Sequence, residues 1–301
     1  MKTTNGVILP GMELSDLVGK LVVIEGTDGV GRSTQIALLK EWLEQKGHAV
    51  LDTGLSRSGL VGKGIKRAKE GHTLGRITLT LFYGTDFSDR LEHEIVPALR
   101  AGFVVLTDRY IYSLIARAIV RGLDPEWVRK VYSFAIKPDA VFYLRIGVDD
   151  LIPRVVFTRG FDYWESGMDV YTTEDMYESF RRYQTSMLEQ FDHLAEEYKF
   201  KVIDATPEPR KIFEKLRAGI TKVLEGESHR QVSEAPVIVV PAPTPASAPT
   251  SVPAPAPAAT ASRIMHTTPA AEPGEERAAA APSKPKSEAA GESDAKSEVA
   301  R

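Results

Sequence analysis

The residues with the clearest chemical capability stand together near the N-terminus, as Gly26-Thr27-Asp28-Gly29-Val30-Gly31-Arg32-Ser33-Thr34. Two glycines bracket four residues, and a basic residue and two hydroxyls follow. Glycine lets successive backbone N–H groups turn inward around an anion, and a helix starting at that point adds the positive end of its dipole. The pattern therefore reads as a phosphate-binding loop. Ser33 is placed to reach a magnesium ion and Thr34 a phosphate oxygen. Arg32 keeps the positive charge such a loop uses, but in a planar guanidinium that is bulkier than an ammonium group.

Such a loop needs a strand before it and a helix after it. Lys20–Glu25 (KLVVIE) is a short β-branched run, and Ser33–Gln45 has apolar residues at helical spacing. Further apolar runs at His48–Leu51, Phe103–Thr107, Ala140–Leu144 and Lys201–Ile203 are separated by helix-length segments such as Asp89–Arg100 and Glu174–Tyr198. Strands alternating with helices predict an α/β fold of three layers, with a parallel five-stranded sheet covered on both faces.

Composition changes near Ser228. From Ala235 the chain is rich in Pro, Ala, Ser and Thr, with only Val237–Val240 offering an apolar spot. Such a stretch buries too little apolar surface to offset the entropy of ordering, so 227–301 is expected to be a disordered tail whose partner, if any, is unreadable. Residues 1–18 read as an N-terminal extension and 19–226 as the domain that carries the chemistry. The net charge is −3 among 301 residues, which gives no bulk reason to expect nucleic-acid binding. With no cysteine there is no disulfide or thiolate chemistry, and His48, His72, His93 and His193 show no ligand spacing. Met1–Pro10 has no charged segment leading into a sustained apolar run, and no stretch reaches the ~20 apolar residues of a membrane span. The expectation is a soluble, cytoplasmic protein.

Ile24–Gln35 (IEGTDGVGRSTQ), followed at a suitable distance by Pro97–Tyr110 (PALRAGFVVLTDRY), resembles the thymidylate kinases over about the first 225 residues. The resemblance implies a P-loop NTPase-type fold, ATP and Mg²⁺ as cofactors, and a nucleoside monophosphate as acceptor. It implies that Asp108 sits near the metal with Ser33, that Arg109 holds the acceptor's phosphate and that Asp28 contacts the acceptor. Tyr83 falls where an aromatic ring stacks on the acceptor base. Arg154–Glu165 lies where the family has a mobile lid, with Arg159 the preferred catalytic arginine beside Arg32 and Asp108. Homologous kinases are commonly dimers, and the apolar parts of Leu79–Leu99 and Tyr112–Ile119 could form such a contact. The chain also departs from the family. Asp52–Gly59 replaces an Arg-Glu-Pro motif, leaving Arg57 as the similar charge; Thr85-Asp86-Phe87 replaces Ala-Asp-Arg; and Ala116-Arg117-Ala118 replaces Ala-Tyr-Gln.

The expected activity is ATP-dependent phosphorylation of a nucleoside monophosphate, dTMP first, by positioning and charge neutralisation without a covalent intermediate. Two other readings stay open on these residues. One is a nucleotide-binding protein without turnover, whose tail recruits a partner. The other is a related kinase with a different nucleotide or nucleoside as acceptor.

Overall fold

The computed structural model describes residues 2–6, 13–72 and 74–226. The expected tail, 227–301 with its Val237–Val240 spot, lies outside the described residues. Strand β1 (Lys20–Gly26) carries Leu21, Val22, Val23 and Ile24, all fully buried, so it is covered on both faces as a continuous apolar run requires. The other strands are β2 (Val50–Gly54), β3 (Val104–Asp108), β4 (Ala140–Arg145) and β5 (Lys201–Asp204). They form one parallel sheet in the order β2-β3-β1-β4-β5.

The helices are α1 (Arg32–Gln45), α2 (Gly62–Glu70), α3 (Arg76–Arg90), α4 (Val96–Arg100), α5 (Ile111–Val120), α6 (Pro125–Val131), α7 (Val148–Thr158), α8 (Met176–Glu197) and α9 (Pro209–Leu224). Helix α3 continues through a π turn, Leu91–Ile95, into α4. The turn falls just before Pro97, which lacks the N–H that an unbroken α-helix would use.

Alternate residues of the sheet point to two apolar layers. Leu21, Val23 and Val105 meet Phe87 of α3, Leu114 of α5 and Phe191 of α8 on one side. Val22, Ile24 and Leu106 meet Leu39 of α1 and Leu216 of α9 on the other. This is the three-layer α/β fold of the P-loop type. Most apolar residues of Leu79–Leu99 and Tyr112–Ile119 are used in this core: Leu79, Phe87, Leu91, Leu99, Tyr112 and Ile115 are buried, while Leu81 of α3 is left 47% exposed. N-terminal residues also pack on the domain. Leu14 and Leu17 join the core, and Thr4 bridges to Ile136. Among the described residues no helix is long and apolar enough to cross a membrane.

The topology places the site. Chain order reverses at β1, with β3 on one side and β4 on the other, so a crevice opens beyond their C-terminal ends. In register, Ile24 stands beside Asp108 and Gly26 beside Leu144. Residues Gly26–Thr34 and Asp108-Arg109 thus leave the sheet at the same edge.

Candidate active site

Two glycines of the loop are demanded by what presses on them. Gly26, at φ 147°, would put a Cβ 2.7 Å from the Leu144 carbonyl oxygen, and Gly29, at φ 88°, would put one 2.5 Å from Val155 of α7. Helix α1 starts after Gly31 with no side-chain cap, which leaves its first N–H groups to the loop's interior. Ser33 and Thr34 are exposed, and their hydroxyls bond to no described residue.

Arg32 turns back under the loop and is buried. Its Nε donates to Asp108 Oδ1 at 2.7 Å, and its Nη1 donates to the carbonyls of Gly26 and Thr27. Its Nη2 lies 3.5 Å from Asp28 Oδ1 and makes no tighter contact. A guanidinium therefore fits the loop by bridging it to β3 through two separate nitrogens of one planar group.

Asp28 is the focus of the site. Arg109 Nη2 pairs with its Oδ1, and Arg117 Nη2 reaches its Oδ2 at 2.7 Å. Arg109 holds a left-handed φ of 67°, a costly conformation for a residue with a side chain. The backbone is fixed there by Arg109 N–H to the Ile24 carbonyl at 3.0 Å and by Thr107 Oγ1 to the Arg109 carbonyl at 2.7 Å. Burial first, and then the neighbouring Arg117, lower the Arg109 guanidinium to about 9, so it is still charged at neutral pH.

Glu25 sets the position of α5. Fully buried, it accepts the N–H of Tyr110 at 2.8 Å, the N–H of Ser113 at 3.2 Å and the Ser113 hydroxyl at 2.5 Å. It thereby satisfies N–H groups that a helix start leaves open. Burial pushes its carboxyl up, and these hydrogen bonds only partly oppose that.

One cavity opens beside the two arginines that pair with Asp28, and another reaches the loop itself. One, of about 230 Å³, is lined by Arg109 and Arg117 together with Leu79, Tyr83, Leu114 and Trp164. Trp164 is anchored by its Nε1 donating to the Lys69 carbonyl at 3.0 Å, while Tyr163 stacks on His72 at 3.9 Å. The other, of about 540 Å³, runs from Gly29, Gly31 and Thr34 past Arg154 and Phe157 to Pro207. Phe157 is 88% exposed at its rim.

Most of the expected residues converge here. Tyr83 lines the smaller cavity beside Arg109, and Asp28, Arg32 and Asp108 form a linked chain of charge. Arg159 caps the end of α7 and pairs with Glu165, which also lines the smaller cavity. Arg57 stands apart: half-exposed, it pairs with Asp52 at 3.0 Å and lines neither cavity. Phe87 is a core residue, edge-on to Tyr110, while Asp86 pairs with Arg90 and accepts the N–H groups of Ser56 and Ser58. Glu25 and Arg121 are not marked by the sequence, and Arg117 stands out there as a departure from the family that favours a different acceptor. Ser113, Arg117 and the C-cap residue Arg121 recur every four residues along α5, but that spacing does not name their partners.

Comparison with known proteins gives the family. A protein-family model described as "Thymidylate kinase" matches residues 24–216. The chain is 41% identical over 188 residues to "Probable thymidylate kinase 2" of Saccharolobus solfataricus, covering 62% of this chain and 88% of that protein. It is 38% identical over 143 residues to "Probable thymidylate kinase" of Thermococcus kodakarensis, covering 44% and 70%. It is 36% identical over 150 residues to "Thymidylate kinase" of Desulfotalea psychrophila, covering 49% and 73%.

Proposed function

Because the chain belongs to the thymidylate kinase family of nucleoside monophosphate kinases, we propose that ATP is its phosphoryl donor and thymidine monophosphate its acceptor. The observation that supports this reading is a pair of cavities, one lined by the loop residues Gly29, Gly31 and Thr34 and the other by Arg109 and Arg117, the two partners of Asp28. A donor base in the larger cavity and an acceptor base in the smaller one bring their phosphates together over Gly29–Thr34.

Each residue then has a task that charge and geometry supply. Backbone N–H groups of Gly29 to Thr34 hold the donor's phosphates at the start of α1. Arg32 keeps Nε and Nη1 as a strut and turns Nη2 to a phosphate oxygen. Arg109 grips the acceptor phosphate, Asp28 orients Arg109, and Tyr83 lies against the acceptor base. Arg159, at the end of α7, neutralises charge on the phosphoryl group in flight. No side chain becomes covalently linked.

The residues suit a magnesium ion that arrives with the phosphates. Among the described residues no group of three carboxylates or histidines could cage a metal, whereas the Ser33 hydroxyl and the Asp108 carboxylate offer oxygens at the loop, the usual sparse set for Mg²⁺. When bound, the ion would offset phosphate charge. On this reading 19–226 is the kinase domain, 1–18 an N-terminal extension and 227–301 a tail that takes no part in the chemistry. The cytoplasm is its place of work.

One observation favours a nucleotide-binding protein without turnover: Asp108, a proposed metal ligand, already carries Arg32. ADP release with Mg-ATP and each of dTMP, dUMP, dCMP, dGMP, AMP and thymidine separates the readings. Turnover selective for dTMP is expected. ATP binding with no acceptor phosphorylated would leave the non-catalytic reading standing.

A further inference from the structure

The arginines around Asp28 differ in how many of their donors are used. Arg121, one turn beyond Arg117 at the C-cap of α5, spends Nε on Asp169 at 2.7 Å, Nη1 on the Tyr183 hydroxyl and the Arg117 carbonyl, and Nη2 on Asp169 and the Trp164 carbonyl. It is saturated, and its work is to tie the segment after α7 to α5. Arg32 is nearly as fully engaged. Arg109 and Arg117 are not. Each gives one Nη2 to Asp28, and among the described residues their Nε and Nη1 atoms donate to nothing. Neither arginine has a buried nitrogen lacking a partner, and both line the smaller cavity. The spare donors are therefore open to whatever enters it.

Charge points the same way. Arg32, Arg109 and Arg117 share the carboxylates of Asp28 and Asp108, so guanidinium is in excess. Glu165, the acid that lines the cavity, is already paired with Arg159. Planar forks in excess of carboxylate suit a doubly charged anion with several acceptor oxygens, which is a phosphate monoester. Arg57 is held by Asp52 outside the cavity and cannot serve there without leaving that pair.

We infer that Arg117 is a second phosphate-holding arginine for the acceptor. It and Arg109 donate to the monophosphate through nitrogens left spare, while Asp28 holds one Nη2 of each guanidinium and keeps the two side chains beside one another. The inference rests on the reading of the chain as a nucleoside monophosphate kinase and deepens it. The donor's phosphates have a separate cradle, and neither Arg109 nor Arg117 lines the larger cavity.

The test compares binding of dTMP and of thymidine, which lacks the phosphate, to the full chain with the native sequence and with Arg117→Met or Arg117→Lys. In the native chain the phosphate should add affinity. Arg117→Met should cut dTMP affinity by roughly 10- to 100-fold, the range for charge-assisted hydrogen bonds, while thymidine and ATP affinities stay as they were. Arg117→Lys should lose less in the same direction, and it carries the test if the methionine variant does not fold. Equal weakening of dTMP and thymidine, or no change in either, overturns the assignment and makes Arg117 a brace for Asp28. A native chain that binds ATP but no nucleoside monophosphate overturns the functional reading itself, and this assignment with it.

Discussion

A lysine at position 32 would place one ammonium group in the loop, whereas the arginine spends Nε on Asp108 and Nη1 on two loop carbonyls. Arg32→Ala removes that strut and leaves partly buried carboxylates short of a partner, so it should lower stability by about 1–3 kcal/mol and abolish turnover. Arg32→Lys, which keeps the charge but not the fork, should fall between; urea midpoints and ADP release check both. Glu25 gives a pH-dependent prediction. Its folded-state carboxyl titrates above the unfolded value of 4.5, so the folded chain binds the proton more tightly, and stability is lost as pH rises from 4.5 through the folded value. Glu25→Gln lacks that titration. The native chain's stability relative to Glu25→Gln should therefore fall between pH 4.5 and 7, which paired urea unfolding at the two pH values measures. The loop residues were legible because their spacing is local. Arg117 was not, because its partner Asp28 is 89 positions away and only the packing of α5 brings them together.

Among elements, the strands announced themselves through β-branched runs, with boundaries moved by one to three residues: β2 runs from Val50 to Gly54 and β3 ends at Asp108. Helix α3 was harder to read, since Thr78, Thr80, Gly84 and Thr85 interrupt its apolar pattern and the π turn before Pro97 shifts its phase. The close seat of α7 on the phosphate loop was invisible in the sequence. It rests on Gly29, where an added Cβ meets Val155 at 2.5 Å on a positive-φ backbone. Gly29→Ala should destabilise the fold by roughly 1–3 kcal/mol and weaken ATP binding. Val155→Ala in the same chain relieves the contact but not the backbone strain, so it should restore part of the loss, as read by thermal unfolding and ATP titration. Arg121 couples α5 to the segment after α7, and Arg121→Met would strand Asp169. A loss of about 1–3 kcal/mol is expected by urea unfolding for leaving a partly buried carboxylate without its partner.

At the scale of the whole molecule, a net charge of −3 says nothing of the site, because the cationic excess around Asp28 is a local arrangement within an acidic chain. Both apolar layers close with helices that end by Leu224, and both cavities are lined by residues before Phe213. A chain ending at Gly226 should accordingly keep the melting temperature and turnover of the full chain. If one phosphate loop joins a donor site to an acceptor site, a phosphoryl group passes between them within a single turnover. Excess chain is mixed with γ-labelled ATP, dTMP and Mg²⁺, and the labelled product is identified. Label appearing in dTDP, and not when Mg²⁺ is chelated or Arg109 is replaced by alanine, is the predicted result. Label remaining in ATP while ATP and dTMP are both bound would contradict it.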